Sequence, residues 1–147
     1  MKTIFEVIRL RQVRREVNHP MAGVAIHSPE AAAKFLMNEI GDDDREVLMV
    51  LTLNTKNEII AYQRCHTGSL NASIVHPREV FRTAVKNGGA SILVGHNHPS
   101  GDPSPSREDI AITQRLSEAG KILGIELLDH VVVGYQKYIS LKEKGYV

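Results

Sequence analysis

A chain of 147 residues with 42% hydrophobic and 24% charged residues can bury a sizeable core in one domain, and it lacks the composition of a disordered or collagen-like segment. The formal net charge of +1 gives no global argument for a nucleic-acid partner. The single cysteine, Cys65, excludes an internal disulfide framework and fits a cytoplasmic setting, while no apolar run approaches the roughly 20 residues of a membrane span or forms a signal peptide.

Residues 3–13 alternate, with Ile4, Ile8 and Leu10 on one face and Arg9 and Arg11 on the other, which predicts a half-buried strand. The cluster Arg9, Arg11, Arg14 and Arg15 reads either as a solvated strand face or as a phosphate-binding stripe. Ser28-Pro29-Glu30 opens a helix, with Ser as N-cap, Pro in the first turn and an acid near the positive end. AAAKFLMNEI continues that helix, Gly41 is its expected stop, and Asp42-Asp43-Asp44 is a solvated acidic turn, since no calcium-loop pattern follows. REVLMVLTL is nearly continuous in apolar residues and predicts a central strand. Asn54-Thr55-Lys56-Asn57 is turn chemistry, and EIIAYQRC returns as the second strand of a hairpin. HPREVFRTAVKNGG predicts a helix ended by Asn-Gly-Gly, ASILVG a short buried strand ending at His96, and the next helix runs from about Ser106 to Ala119. IELLDHVVVG is another strand and YQKYISL a last short one. The order β-α-β-β-α-β-α-β-β predicts one α/β domain with a mixed sheet flanked by helices.

GHNHPSGDPSPSREDI, residues 95–110, carries the chemistry. In extended backbone, residues i and i+2 point to the same side, so His96 and His98 can converge on one point. After ten intervening residues, Asp109 falls in the first turn of the next helix, close enough to swing back. Two imidazoles and one carboxylate leave a fourth position open, the pattern of a catalytic zinc site. Helix capping is the competing account, because Ser106-x-x-Asp109 is a near capping box. The two roles are compatible. The letters HNH do not make an HNH nuclease, whose three residues are spread over a ββα unit, and Asn97 points away from its neighbours.

HNHPSGDPSPSRED resembles the JAMM metalloprotease signature of JAB/MPN domains, with H-x-H followed by S-x-x-D. The longer stretch VHPREVFRTAVKNGGASILVGHNHPSGDPSPSREDIAITQRLSEAGKILGIELLDHVVVG is similar to the RadC-like branch of that superfamily, and the resemblance covers roughly residues 28–142. It implies a JAB/MPN-like, cytidine-deaminase-like fold spanning residues 1–147 as a single domain. Longer RadC-like proteins carry a helix-hairpin-helix segment ahead of that domain, and none is expected here.

The resemblance also implies a JAMM-type zinc metallohydrolase that cleaves an amide, isopeptide or peptide bond. Zn2+ would be held by His96, His98 and Asp109. Glu46 matches the family's water-activating glutamate and Ser106 its oxyanion-binding serine. By residue type alone Glu39 and Glu58 rival Glu46, which otherwise reads as a surface residue at a strand edge. His66, His76 and His130 are not expected as ligands, and Asp129-His130 is kept as a supporting or packing pair. The implied partner is a peptide or modifier-conjugate substrate, with no membrane and with self-association open. Two other readings are a non-catalytic interaction module and, from the family's link to DNA repair and recombination, a nucleic-acid-binding protein.

Overall fold

The computed structural model describes residues 2–7 and 18–147. Residues 3–7 do not form the expected strand: they carry no regular structure, and Ile4, Phe5 and Val7 are exposed. An alternating pattern becomes a strand only where a neighbour supplies ladder hydrogen bonds and a buried face, and residues 3–7 have neither among the described residues. The remainder of that expected strand, with Arg9, Arg11, Arg14 and Arg15, lies outside the described residues.

From there the chain runs through α1 (Pro29–Ile40), β1 (Val47–Leu53), β2 (Ile59–Thr67), α2 (Pro77–Val80), α3 (Arg82–Asn87), β3 (Ser91–Asn97), α4 (Arg107–Leu123), β4 (Glu126–Val133) and β5 (Tyr138–Ser140). The five strands form one mixed sheet in the order β2-β1-β3-β4-β5. β1 runs antiparallel to β2 and β3, β3 and β4 are parallel, and β5 returns antiparallel to β4. α4 is the crossover that a parallel neighbour requires.

Helices cover both faces, so β1 and β3 are buried throughout. Strand parity sorts their side chains. Met49, Leu51, Leu53 and Leu93 face α1 and pack on Ala33, Phe35, Leu36 and Ile40. Leu48, Val50, Ile92 and Val94 face the other way, onto Val80, Phe81, Ile112 and Leu116. At Gly95 the first helix packs closely on the sheet: a Cβ there would lie 2.2 Å from Leu36 Cδ1.

Two boundaries differ from expectation. The helix expected over 76–89 is split at Phe81, whose ψ relaxes to −6° where its ring anchors in the core. α4 passes Ala119 and Gly120 and ends at Leu123, because the residue that adopts the left-handed cap is Gly124, at φ 72°. Gly41 ends α1 as expected, as its C-cap, although it keeps right-handed angles of φ −61° and ψ −32°.

Candidate metal centre

The site forms where β3 leaves the sheet, at the carboxyl end of the parallel β3–β4 pair, a usual place for a functional cleft in α/β proteins. The parity that sends Ile92 and Val94 toward α4 sends His96 the same way. The His98 N–H donates to the Val133 carbonyl at 2.9 Å, so the extended backbone continues and His98 follows His96. The 99–105 loop then turns the chain back, and α4 starts beside both rings.

Ser106 is the N-cap of α4 and Asp109 its N3 residue. The Asp109 N–H donates to Ser106 Oγ at 3.0 Å and the Ser106 N–H donates to Asp109 Oδ2 at 2.8 Å, a complete capping box. The same carboxylate reaches both imidazoles: Oδ1 lies 3.3 Å from His96 Nε2, and Oδ2 lies 3.2 Å from His98 Nε2. The two Nε2 atoms are 2.9 Å apart. Capping and convergence therefore coexist on one side chain.

His96, His98 and Asp109 form a group whose ligand atoms lie within 4.8 Å of one another and could hold a metal ion. The donor set fits such an ion. His98 Nδ1 sits 2.8 Å from the Asp102 carbonyl, which can only accept, so Nδ1 carries the hydrogen and Nε2 is left bare. A bare ring nitrogen, a second imidazole and a carboxylate crowd one point from which water is largely excluded, and a cation satisfies all three.

The electrostatics agree. The hydrogen bond that a protonated Nε2 can donate to Asp109 raises the His98 pKa against the effect of burial, and the Asp102 carbonyl and the charges of Asp109 and Glu46 add to it. Burial alone would raise Asp109. The hydrogen bonds that protonated His96 and His98 can donate to it, the charge of a protonated His96 and the Ser106 N–H outweigh that and hold the carboxyl far below the usual carboxylate range. Both shifts mark a point that favours positive charge.

Glu46 stands half-buried just ahead of β1. Its Oε2 accepts the Leu70 N–H at 3.0 Å, and its backbone carbonyl accepts the Gly68 N–H at 2.8 Å. The carboxylate is thus tied to the loop beyond β2 and is close enough for its charge to act on His98. Its rivals are engaged elsewhere: Glu39 pairs with His19 at 3.4 Å, and Glu58 accepts from Asn54 in the hairpin turn at 3.1 Å. His66 lies in β2 and His76 caps α2, both outside the converging group. An open cleft of about 510 Å³ runs beside His98 between the 42–44 turn and Tyr135. The 99–105 loop lines it at Pro99 and Gly101.

Sequence reasoning did not single out Thr113, and it left His130 without a definite part. His130 Nε2 lies 2.7 Å from His96 Nδ1, and its Nδ1 lies 2.6 Å from Thr113 Oγ1. Burial drives the His130 pKa well below the ordinary imidazole value, which favours the neutral ring. Asp129, its chain neighbour, turns away to hold Ser140 and the Lys142 backbone. The available signal was the i,i+4 spacing of Asp109 and Thr113, which puts both on one face of α4.

The family model for the RadC-like JAB domain matches residues 26–146. A UPF0758 protein of Geobacillus sp. (strain WCH70) is 58% identical over 122 residues, covering 83% of this chain and 54% of the relative. A UPF0758 protein of Bacillus cereus (strain B4264) is 53% identical over 143 residues, covering 97% of this chain and 62% of the relative. The chain thus spans little more than half the length of these relatives.

Proposed function

The chain belongs to the RadC-like JAB domain family, and from that premise we propose that it is a zinc-dependent hydrolase of the JAMM type, cleaving an amide, isopeptide or peptide bond. The observation that carries this reading is the convergence of His96, His98 and Asp109 within 4.8 Å, the first on β3, the second on its extended continuation just past Asn97, and the third at the start of α4.

In this reading His96 and His98 offer Nε2 and Asp109 its carboxylate as ligands. Zinc held there supplies a Lewis acid that brings the pKa of a water down to about 7. Glu46 is the general base. It receives the water proton and delivers it to the departing amine, and its bond from Leu70 N–H fixes the carboxylate for that transfer. Ser106 Oγ already accepts from Asp109 N–H, so its one hydrogen is left for the oxygen that becomes negative in the transition state. The substrate is a peptide or modifier conjugate, and the cleft beside His98 is where its chain lies.

Metal analysis of the purified protein after zinc loading and desalting tests the centre. About one zinc per chain is expected for the wild type and a small fraction of that for His98→Ala. Equal and negligible zinc in both would overturn the proposal. Glu46→Gln separates binding from chemistry: it keeps zinc and loses about 10²–10⁴-fold in turnover of an amide substrate. Unchanged turnover would remove Glu46 from the mechanism.

A further inference from the structure

We infer that Thr113 and His130 form a buried relay that fixes the tautomer of His96, so that Nδ1 carries the hydrogen and Nε2 is the bare, metal-facing atom. The inference rests on the reading of His96 as a metal ligand and adds two positioning residues that touch neither substrate nor metal.

The relay begins on α4. Thr113 Oγ1 lies 2.7 Å from the backbone carbonyl of Asp109, one helical turn back. It continues to His130 Nδ1 at 2.6 Å, and from His130 Nε2 to His96 Nδ1 at 2.7 Å. Thr113, His130 and His96 are each 0% exposed, so solvent does not reach these atoms to supply or remove a hydrogen. The three contacts must be satisfied by the hydrogens the residues themselves carry.

With both imidazoles neutral, only one assignment does this. A carbonyl oxygen accepts and never donates, and a hydroxyl has one hydrogen. The Thr113 hydrogen therefore goes to the Asp109 carbonyl. Thr113 Oγ1 must then accept from His130 Nδ1–H. A neutral imidazole has one N–H, so His130 Nε2 is bare and accepts from His96 Nδ1–H. That leaves His96 Nε2 without a hydrogen, pointing at His98 and Asp109. The reverse polarity places two acceptors, Thr113 Oγ1 and the Asp109 carbonyl, 2.7 Å apart with no hydrogen between them, and it puts an N–H where the ligand lone pair is needed.

The arrangement closes on itself. The Asp109 backbone sets the polarity, and the far end of the relay delivers His96 Nε2 to the Asp109 carboxylate. His98 reaches the same state in one step, through the Asp102 carbonyl at 2.8 Å. His96 needs two intermediaries because its Nδ1 faces β4, where the group within reach is another imidazole. Metal-bound histidines ordinarily donate this second N–H to a carboxylate, carbonyl or water. Here a neutral histidine accepts it, and Thr113 sets which of that histidine's nitrogens is free to do so.

The test reads the tautomer directly. Nitrogen-15 NMR of the metal-free wild-type chain, at a pH where its imidazoles are neutral, should show His96 protonated on Nδ1 and bare on Nε2. Thr113→Ser keeps the hydroxyl and should keep that signature. Thr113→Val keeps the shape, removes the hydroxyl, and should give a mixed or reversed His96 tautomer, with zinc affinity lowered about 10–100-fold. Protonation of His96 on Nε2 in the wild type would overturn the inference, as would a Thr113→Val protein with unchanged tautomer and unchanged affinity. The wild-type spectrum needs no variant to fold. It also separates this inference from the hydrolase reading: the expected tautomer with no zinc uptake refutes the metal centre alone, and zinc uptake with the wrong tautomer refutes the relay alone.

Discussion

Asn97 stands between the two histidines and works on the opposite face of β3. Its Oδ1 accepts the Val47 N–H at 2.7 Å, and its Nδ2 donates to the Arg45 and Asp43 carbonyls at 2.9 and 3.3 Å. One buried carboxamide thus grips the backbone on both sides of Glu46. Asn97→Asp replaces a donor by a carboxylate facing two carbonyl oxygens, at a cost of about 1–3 kcal/mol in stability. Because His96 and His98 lie on the other face, zinc content should hold while hydrolysis falls; loss of zinc instead would place Asn97 in the support of the ligands. Asp129 sets a pH dependence. Burial raises its pKa more than the bonds from Ser140, Lys142 and His130 lower it. The fold therefore favours the protonated carboxyl. This contribution is complete below the unfolded value of about 3.9 and is lost as pH rises through the raised folded value. Asp129→Asn keeps an oxygen for the two backbone N–H groups and can donate to Ser140. Its stability relative to wild type should grow between pH 4.5 and pH 7.5 in urea titrations. A difference that shrinks over that range would contradict this assignment.

Among the elements, the strands were the most legible. REVLMVLTL is nearly continuous in apolar residues because β1 is an interior strand, between β2 and β3, with helices on both faces. Parity also makes the same-side placement of His96 and His98 readable from the sequence. Helix ends were less legible, because a glycine in a helical pattern has two uses. Gly124 ends α4 in a left-handed cap, whereas Gly120 remains inside it because a Cβ there would lie 2.4 Å from the Ile125 carbonyl oxygen. Local sequence does not distinguish a cap from a close approach. Gly95 is another close approach, between β3 and α1. Gly95→Ala forces a methyl against the fully buried Leu36, and overpacking of this kind costs about 1–3 kcal/mol. Leu36→Val in the same chain should recover part of that loss, so the two changes are non-additive in urea denaturation. Simple additivity would mean that α1 rides over the added methyl without meeting it.

Over the whole molecule, the candidate site links elements that are distant in sequence. His96 comes from β3, His98 from just beyond its end and Asp109 from α4, so a spacing of 11 residues from His98 to Asp109 could announce them. His130 comes from β4, 34 residues beyond His96, and is brought there only by the parallel β3–β4 pairing. That distance is why the ligand triad was legible and its support was not. A ligand that binds the native centre and not the unfolded chain stabilises the fold by RT ln(1 + [L]/Kd), about 2.7 kcal/mol at a hundredfold excess over Kd. For a domain near 150 residues each kcal/mol shifts the melting temperature by about 2–4 °C. Zinc should therefore raise the melting temperature of the metal-free wild type by about 5–10 °C, and a chelator should reverse the rise. His98→Ala should melt at the same temperature with and without zinc, because one of its converging ligands is gone. Thr113→Val should fall between them at limiting zinc and approach the wild type at saturating zinc, since a weakened centre still fills by mass action. An equal rise in wild type and His98→Ala would mean that zinc acts at some other place, and the link between β3 and α4 would have to be assigned to packing alone.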